Sequence, residues 1–458
     1  MRPLPLPASD DSLDLLGLQQ LSSERYPALL SSTSEQTPSQ VQAQHNSRYD
    51  ILMAFPESQR LELRAEDVAS GRADDFLQRL DREFQAHCCD EEDTGWPFRG
   101  GWFVYLSYEL AQQVEPSLQL PLADNQLIAY AQRVRSAVVV DRVRGEAWWL
   151  CESDLPAAEQ EKRWKQLQID CQALKALQAQ GSVSLQSLVE QEAAHYRRWV
   201  EKTLNYIKEG DVFQVNLSRP WRAQLAGELT SCQLFAELRR QNPSPFAACV
   251  HAADFDVISS SPERLVSVRA GRVDTRPIAG TRPRLDVKDD AKVTRELLGH
   301  PKERSEHIML IDLERNDLGR ICQPGSVTVD ELMVLESYAH VHHIVSNVSG
   351  QLREGVSPGE VIRAVFPGGT ITGCPKVRCM EILSELEAEP RGAYTGSLGY
   401  INRNGDMDFN ILIRTIERHG DQLTFRAGGG IVADSEAEKE LEETRAKARG
   451  LLKVFQGH

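Results

Sequence analysis

The last predicted helix carries acidic side chains that could bind a cation. Glu440, Glu443 and Lys447 fall at positions i, i+3 and i+7, so they share one face of a helix. Carboxylates, waters and substrate oxygens are the ligands that Mg²⁺ prefers. Glu306, in the segment RSEHIMLIDLERND, could supply a third carboxylate. The pattern predicts either a magnesium site or a solvated stripe stabilised by one Glu–Lys pair of about 0.2–0.5 kcal/mol.

Two glycine-rich segments could bind an anion through their backbone amides. Gly428 to Gly430 follow a strand-like run and would let a ligand approach the backbone closely. The alternative for these three glycines is a bend between a strand and a helix. The segment Phe366–Gly373 (FPGGTITG) precedes a predicted helix, whose N-terminus favours negative charge. It lacks the GxxxxGK[ST] spacing of a nucleotide-binding loop, so ATP is not the expected ligand.

Several further polar residues depend on their surroundings for a role. Arg414 lies in the alternating segment ILIRT, where it points to solvent or, if it faces inward, needs an anion such as a carboxylate. Gln214 and Asn216 alternate with apolar residues in VFQVNLS, which predicts a strand whose polar face meets solvent or lines a polar pocket. Glu263, in SSPERL, and His343, in HHIVS, carry no signal by themselves.

The elements that would position these residues mix strands and helices. In the first half the sequence predicts strands over 49–54, 101–108, 137–140 and 147–151. A polar helix over 156–181 marks the predicted boundary between an N-terminal region, 1–180, and a catalytic domain, 185–458. Strands and helices in mixed order, with hairpins, indicate an α+β fold.

In the second half, element boundaries are predicted at residues that stop, turn or cap the backbone. One helix is predicted from Tyr196 to Gly210, and a second starts at Pro375 with Thr372 as its cap. A hairpin turn at Asn404-Gly405 precedes the strand FNILIRTI. The last helix begins with the capping pair Ser435 and Glu438 and runs to about Phe455.

Composition excludes several classes of protein. The 458 residues include 67 acidic and 52 basic side chains, and the formal net charge of −15 repels phosphate backbones and anionic lipid. We therefore expect neither a nucleic-acid partner nor a membrane partner. The 9 cysteines form no CxxC pair, which favours reduced thiols in the cytoplasm over a disulfide framework or a zinc site. The N-terminus does not resemble a signal peptide, and no apolar run reaches the length of a membrane span.

Taken together, the segments resemble the chorismate-utilising enzymes, a family that includes anthranilate, aminodeoxychorismate, isochorismate and salicylate synthases. The matching segments run in order from about Gly210 to Thr444 and are GDVFQVNLS, SSPERL, RPIAGTRPR, EHIMLIDLERNDLGR, HHIVSNVSG, FPGGTITGCPKVRCMEIL, YTGSLGY, MDFNILIRT and AGGGIVADSEAEKELEET. The resemblance implies an α+β, anthranilate synthase-like fold with two facing antiparallel sheets and helices outside.

The resemblance also implies roles for individual residues. Mg²⁺ would be held by Glu306 and Glu443, with Glu440 beside or behind them, and would bind the ring carboxylate of chorismate. Glu263 matches the general acid that protonates the departing 4-hydroxyl, a role that needs a raised pKa. The positions that match residues lining the ring are His343 and Thr370. The positions that match substrate-binding residues are Gln214, Lys376, Tyr394, Arg414, Gly428, Gly430 and Lys447.

Three positions bear on which reaction the resemblance implies. Gln214 stands where isochorismate and salicylate synthases have the lysine that activates water, which favours the ammonia-using members. The segment FPGGTITG resembles aminodeoxychorismate synthases, whose product, 4-amino-4-deoxychorismate, leads to 4-aminobenzoate and folate. Ala279 favours the other member, because PIAGT is typical of anthranilate synthases and lacks the lysine nucleophile of the aminodeoxychorismate enzymes. We expect the 4-amino product, with anthranilate plus pyruvate as the alternative.

Finally, the resemblance implies a partner and a second ligand. The chain has no cysteine in a GxCxG setting, so we expect a separate glutamine amidotransferase subunit to supply the ammonia. Family members hold tryptophan near an LLxS segment, which here is Leu29 to Ser32. The glutamate typical of feedback-inhibited enzymes is absent there, so tryptophan is expected, if at all, as a structural ligand rather than as an inhibitor.

Overall fold

The fold is built on an antiparallel network of strands. The computed structural model describes residues 1–4, 13–32, 48–71, 74–89, 95–174, 183–252, 254–283, 301–337 and 341–455. The strands in these residues are β1 (Arg2–Leu4), β2 (Ala28–Ser31), β3 (Tyr49–Arg64), β4 (Gly101–Leu106), β5 (Leu127–Asp141), β6 (Glu146–Cys151), β7 (Leu185–Glu190), β8 (Gln214–Leu225), β9 (Phe246–Ala252), β10 (Phe255–Ser261), β11 (Arg264–Arg269), β12 (Arg272–Thr275), β13 (Ile278–Pro283), β14 (Thr328–Ser337), β15 (Val341–Gln351), β16 (Gly373–Cys374), β17 (Ser397–Asn402), β18 (Met407–Asn410), β19 (Thr415–His419) and β20 (Gln422–Ile431).

Helices fill much of the remaining chain. Within the described residues they are α1 (Leu15–Leu21), α2 (Ala65–Ala69), α3 (Phe76–His87), α4 (Ala111–Val114), α5 (Ala157–Ala173), α6 (Ala193–Glu209), α7 (Ser231–Gln241), α8 (Pro301–Gly319), α9 (Pro358–Val365), α10 (Lys376–Glu387) and α11 (Ala437–Leu452), with short 3₁₀ turns at Tyr108–Leu110, Gly369–Ile371 and Lys453–Phe455. No helix in the described ranges has both the length and the apolar character needed to cross a membrane.

Two arms of strands diverge from the neighbourhood of β5, which pairs with β3, β4 and β6. The first arm runs β4–β17–β18–β11–β12–β15, and β13 and β14 both pair with β15. The second arm runs β3–β2–β9–β10–β19–β20–β8, and β7 and β16 pair with β8. Every one of these pairings is antiparallel, so the tight connections between neighbouring strands need no crossover helix.

The arms face each other across a shared apolar core. Phe103 of β4 and Leu398 of β17 belong to one buried cluster with Val250 of β9 and Val257 of β10. The outer face of the first arm is covered by α3, α8 and α9, and that of the second by α1, α7 and α11. Two facing sheets with helices outside are therefore confirmed, and so is the α+β class.

The N-terminal residues are woven into both arms. Strand β2 lies between β3 and β9, with Leu29 opposite Cys249, and β4 places Val104 opposite Gly399 of β17. Residues on both sides of the predicted boundary thus share sheets and cores. The division into the regions 1–180 and 185–458 stays a prediction. The predicted polar helix is α5, which ends at Ala173; the rest of its predicted span, 175–181, lies outside the described residues.

Two predicted turns are confirmed by the backbone, whereas the predicted cap of the last helix is wrong. Helix α6 ends at Gly210, which has φ 87°, and the turn Asn404-Gly405 joins β17 to β18 with Gly405 at φ 88°. Both glycines have the positive φ that such a helix end and such a turn require. The predicted capping pair at the last helix is wrong: α11 starts after Glu436, and Ser435 donates instead to the Glu440 carboxylate at 2.6 Å.

Candidate active site

Gly428 to Gly430 lie in a strand at one side of the candidate site. Strand β20 continues through Gly428, Gly429 and Gly430, which pair with β8 residue by residue. The bend proposed as the alternative is therefore excluded. A Cβ at Gly428 would overlap the carbonyl oxygen of Leu217 and would lie 2.7 Å from the hydroxyl of Tyr394. Glycine is required here because backbone and side chains pack directly against it.

Two carboxylates of α11 lie over the middle of this strand. A Cβ built at Gly429 would lie 3.3 Å from Oε1 of Glu443 and 3.5 Å from Oε2 of Glu440. Lys447, one turn further along, pairs with Glu443 Oε1 at 2.8 Å and donates to the carbonyl oxygen of Gly428 at 2.9 Å. The predicted common face of Glu440, Glu443 and Lys447 is thus confirmed, and it faces the glycines.

Gln214 connects the glycine strand to the third carboxylate. Its Nε2 donates to Oε1 of Glu306 at 3.2 Å, and a Cβ at Gly430 would overlap the same amide. Gln214 and Asn216 are both buried, so the solvent-facing alternative for the polar face of β8 is wrong. Phe213, predicted to share the apolar face of that strand, lies just outside it and is 70% exposed.

The three carboxylates predicted to bind a metal therefore lie around the same end of β20. Glu440 and Glu443 share the space above Gly429, and Glu306 reaches it through Gln214. Among the described side chains, no three His, Cys, Asp or Glu residues are close enough to form a ready cluster of metal ligands. The donor chemistry fits a hard cation such as Mg²⁺: carboxylate oxygens lie beside the buried amide oxygen of Gln214, which has no hydrogen-bond partner in the described chain.

Glu263 is a buried carboxyl at the end of β10. Only 5% of its surface is exposed, and within the described chain its Oε1 has no hydrogen-bond partner. Burial raises its pKa to about 7, although the nearby Thr370 hydroxyl, the Ile278 amide and the charge of Arg414 lower it. A carboxyl that holds a proton near neutral pH is suited to act as a general acid.

Arg414 supplies a positive charge next to this acid. The prediction of one continuous strand through FNILIRTI is wrong, because residues 411–414 leave the sheet between β18 and β19 and Arg414 has φ 51°. Burial lowers the pKa of its guanidinium, and the charge of Glu263 partly offsets that effect. Among the described residues the guanidinium forms no ion pair, and the charge that acts on it is that of Glu263. Such a group can bind the carboxylate of a ligand.

The turn Gly369–Ile371 lies against Glu263 and is held by β8. Asn216 donates through Nδ2 to the carbonyl oxygen of Ile371 at 2.9 Å, and Thr370 places its hydroxyl near Glu263. The predicted helix cap at Thr372 is wrong: its hydroxyl donates to the carbonyl oxygen of Gly368 at 3.0 Å, and Pro375 precedes the first residue of α10. The segment FPGGTITG is thus a buried turn rather than a helix cap.

Tyr394 completes the wall beside Gly428. Its ring is buried, and burial raises its pKa to about 12, so its hydroxyl stays a hydrogen-bond donor. The guanidinium of Arg391 lies 5.6 Å from the centre of the ring. Tyr394 and Gly428 were both predicted to bind substrate, and the structure brings them into contact.

Two other predicted residues have surroundings that limit their roles. Lys376 is paired with Asp317 at 2.6 Å, and both side chains are largely buried, so its ammonium group already has a partner. His343 is buried on β15, one residue before Ile344, whose backbone faces Ala279 of β13. The backbone at the position of the missing lysine therefore pairs with Ile344, and His343 pairs with Thr281.

Two buried glutamates near the site were not predicted from the sequence. One is Glu387, which pairs with Arg391 at 2.6 Å and with Arg426 at 2.8 Å and accepts a hydrogen bond from the Ser218 amide at 2.9 Å. Burial alone would raise the pKa of Glu387, but the two arginines hold it below its usual value. Helical spacing gave no signal for this pair, because α10 ends at Glu387 and Arg391 follows the helix.

The second missed residue is Glu314, which lies eight positions after Glu306 on α8. That spacing returns to nearly the same side of a helix, so the signal was present in LIDLERND. Glu314 is 6% exposed, and a Cβ at Gly369 would lie 3.4 Å from its Oε1. Burial beside Asp317 raises its pKa to about 8.

A separate cavity of about 650 Å³ lies away from the glycine strand, between the two arms. Its lining includes Leu30 and Ser31, from the segment predicted to neighbour tryptophan, and Phe246, Tyr400 and Asn410. Ser31 and Ser32 contribute no carboxylate to this region.

Comparison with known proteins identifies the family of the chain. The family model described as chorismate binding enzyme matches residues 31–453. The chain belongs to the chorismate-binding enzyme family. It is therefore a chorismate-utilising enzyme, as the sequence segments predicted.

Chorismate-binding relatives with two different names are similarly close to this chain. An anthranilate synthase component I-like protein of Synechocystis is 42% identical over 365 residues, 79% of this chain and 74% of that protein. Aminodeoxychorismate synthase component 1 of Escherichia coli is 36% identical over 421 residues, 90% of each chain. Anthranilate synthase component I of Streptococcus pneumoniae superposes with a TM-score of 0.79 at 29% identity, over 91% of this chain and 93% of that one.

Proposed function

We propose that this chorismate-binding enzyme is the synthase component that converts chorismate and ammonia to 4-amino-4-deoxychorismate. The observation that carries the amination of chorismate is the buried Glu263, whose pKa is raised to about 7, beside the guanidinium of Arg414, which has no ion-pair partner among the described residues. For the product, support comes from FPGGTITG and from aminodeoxychorismate relatives that align over nine-tenths of the chain, such as the 37% identical protein of Klebsiella aerogenes (90%).

A second product has its own support. Ala279 lacks the amine that would attack the ring, and relatives named anthranilate synthase, such as that of Aquifex aeolicus, are 49% identical over 56% of the chain. Without a lysyl nucleophile, ammonia would displace the 4-hydroxyl directly or add elsewhere on the ring. Addition at C2 followed by loss of pyruvate would give anthranilate.

The residues of the site divide the work between binding and proton transfer. Arg414, Tyr394 and the amides of Gly428 and Gly430 offer donors to the carboxylates of chorismate. Glu263 donates its proton to the 4-hydroxyl as the C4–O bond breaks, so that the hydroxyl leaves as water rather than as hydroxide.

We propose that Glu306 and Glu443, assisted by Glu440, hold Mg²⁺. When bound, the cation would neutralise the ring carboxylate of chorismate and so allow an acidic protein to bind a dianion. Glu443 is half-exposed, and among the described residues its ion-pair partner is Lys447, so it can turn toward a cation at small cost.

Product analysis tests the proposed reaction. The protein would be incubated with chorismate, Mg²⁺ and ammonium, with and without a lyase that cleaves 4-amino-4-deoxychorismate. We expect 4-aminobenzoate only when the lyase is present. Fluorescent anthranilate formed without the lyase would replace the proposed product by the second one, and no aminated product at all would contradict both.

Replacement of Glu443 by Gln tests the metal assignment. We expect Glu443→Gln to weaken Mg²⁺ binding by at least tenfold in calorimetry, with an unchanged circular dichroism spectrum. The matched control is Glu442→Gln, on the neighbouring exposed face of α11, which should bind Mg²⁺ like the wild type. Equal Mg²⁺ affinity in all three proteins would contradict the assignment.

We also propose a glutamine amidotransferase partner and a cytoplasmic location. Relatives named component 1 imply a second component that supplies ammonia. None of the nine cysteines is joined in a disulfide, which is compatible with a reducing compartment. The cavity beside Leu30 and Ser31 is the place where a structural tryptophan would bind, and fluorescence titration with tryptophan would test it.

A further inference from the structure

His307 is a fully buried histidine in the helix that carries Glu306. It directly follows Glu306 on α8, and none of its surface is exposed. The buried residues Leu310, Ile311 and Leu318 lie on the same side of this helix, so an apolar side chain would also fit the position of His307. Its Nδ1 has no hydrogen-bond partner in the described chain, so burying the ring is costly. A polar ring at this place therefore needs a reason other than packing.

The imidazole ring connects α8 to two strands of the first arm. Its Nε2 and the hydroxyl oxygen of Ser346, on β15, are joined by a hydrogen bond of 2.6 Å. The same hydroxyl oxygen accepts a hydrogen bond from the amide of Met333, on β14, at 2.8 Å. Met333 lies where the pairing of β14 with β15 shifts register, and it has φ 52°. Ser346 thus joins a bulge of β14 to α8 at one point.

The proposed magnesium ligands come from both arms. Helix α8 packs against β13, β14 and β15 of the first arm, whereas α11 packs against β20 of the second. Glu306 therefore approaches Gln214 and the glycine strand from one arm, and Glu440 and Glu443 approach from the other. Because of this arrangement, the distance between the carboxylates depends on how α8 is placed on the first arm.

Small rotations of α8 matter for a magnesium ligand. A glutamate carboxylate lies about 6 Å from the axis of its helix, so a rotation of about 10° moves it by about 1 Å. Mg²⁺ requires nearly ideal octahedral geometry, with ligand distances defined to about 0.2 Å. The apolar contacts of α8 are not directional, whereas a hydrogen bond weakens as its angle closes. The bond between His307 and Ser346 is thus a contact that can fix the rotation of α8 beside Glu306.

We propose that His307 is a positioning residue for the magnesium site, which fixes the rotation of α8 through Ser346 and so holds Glu306 where it can bind the cation together with Glu443. The inference rests on the proposed magnesium site. In this role His307 touches neither the cation nor the substrate. An apolar residue at position 307 would keep α8 folded but would leave it free to turn by the small angles that misplace a ligand, as buried polar groups can specify a register that apolar packing leaves open.

Magnesium titrations of His307 variants test the inference. The full chain would be titrated with Mg²⁺ in a calorimeter, so that the measured quantity is binding rather than activity. His307→Leu removes the hydrogen bond but keeps a buried side chain, and the dissociation constant for Mg²⁺ should rise by about fivefold or more. His307→Gln can place its amide nitrogen near the position of Nε2, so its dissociation constant should stay within about twofold of the wild type.

Three further variants separate positioning from stability. Leu318→Ala opens a cavity near the other end of α8 and should lower the midpoint of urea denaturation, yet its Mg²⁺ affinity should stay within about twofold of the wild type. Ser346→Ala removes the other partner of the hydrogen bond and should weaken Mg²⁺ binding as His307→Leu does. In the double variant of His307→Leu and Ser346→Ala the two losses should not add, because both changes remove one interaction.

Several outcomes would overturn the inference. They are a wild-type Mg²⁺ affinity in His307→Leu, a His307→Gln variant that binds as weakly as His307→Leu, equal weakening in Leu318→Ala, and unfolding of both His307→Leu and Ser346→Ala, of which the last two would assign His307 to stability. Equal Mg²⁺ affinity in the wild type and Glu443→Gln would instead contradict the proposed magnesium site itself, so the two failures are distinguishable.

Discussion

Two clusters of buried charge lie near the candidate site, and they are built differently. Glu387 has two arginine partners, Arg391 and Arg426, and the Ser218 amide, so its charge is satisfied within the protein. Glu263 has no comparable partner, and Arg414 forms no ion pair within the described chain. In the first cluster the pKa of the carboxyl is lowered, and in the second it is raised to about 7.

The difference separates a structural cluster from a reactive one. Buried charges that are fully paired hold strands and turns in place, here β8, β20 and the turn before Tyr394. Buried groups left without partners are expensive unless a ligand completes them, and they are therefore candidates for binding and catalysis. The comparison makes predictions in which the two carboxyls respond in opposite ways to the same substitution.

The largest effect is expected from Glu263→Gln. Without the proton of Glu263 the hydroxyl must leave as hydroxide, so kcat should fall by about 10²–10⁴-fold. Chorismate and ammonium assays would measure it, with Glu385→Gln, an exposed glutamate of α10, as the control. A kcat within threefold of the wild type would remove Glu263 from the reaction.

The second effect is on stability and comes from Glu387→Gln. This change leaves Arg391 and Arg426 buried without their shared countercharge, so the free energy of unfolding should fall by roughly 3–5 kcal/mol. Urea denaturation would measure the change. Glu389→Gln, which removes a more exposed partner of Arg426, is the control and should cost clearly less. Equal losses of unfolding free energy in the two variants would show that the buried Glu387 contributes no more to stability than the more exposed Glu389.

The third effect is on the pH dependence of stability. In the unfolded chain Glu263 has the usual glutamate pKa of 4.5 and loses its proton above that pH. In the folded protein its pKa is about 7, so it keeps the proton to a higher pH. The unfolded state is therefore favoured progressively between these values, and stability falls as the pH rises. Glu263→Gln should make the fall between pH 5 and pH 8 smaller by roughly 2–4 kcal/mol. Denaturation curves at several pH values would show whether the two proteins differ.

The smallest effect is expected from the exposed pair of Glu442 and Arg445. Both side chains are more than one third exposed, and their contact is 2.7 Å. Because solvent screens such a pair, Glu442→Gln should change the free energy of unfolding by only ~0.2–0.5 kcal/mol. A loss as large as that of Glu387→Gln would mean that burial does not set the size of these effects.

Much of the fold was predictable from local signals. Helix α6, the hairpin at Asn404-Gly405 and the common face of Glu440 and Glu443 follow from periodicity and from the conformational freedom of glycine. The facing sheets were expected from the resemblance rather than from any single strand. By contrast, no local pattern shows that β2 inserts between β3 and β9, because such pairings join residues far apart in the chain.

The errors share one physical cause. The cap at Thr372 and the two rejected alternatives, a bend at Gly428 to Gly430 and a solvent-facing amide of Gln214, are each reasonable for an isolated segment. In the structure, the neighbouring strand, turn or helix buries these residues and supplies other hydrogen bonds. Glu314 and Glu387 were missed for the same reason, since a buried glutamate and an exposed one look alike in a sequence.

The central claim is that the buried carboxyl without an arginine partner takes part in the reaction, whereas the paired one stabilises the fold. Carbon-13 NMR titration of the glutamate carboxyls tests it. Resonances would be assigned by their loss in Glu263→Gln and Glu387→Gln. The account predicts a midpoint near pH 7 for Glu263 and a midpoint below 4.5 for Glu387. A Glu263 resonance that titrates below pH 5, like an ordinary surface glutamate, would contradict it.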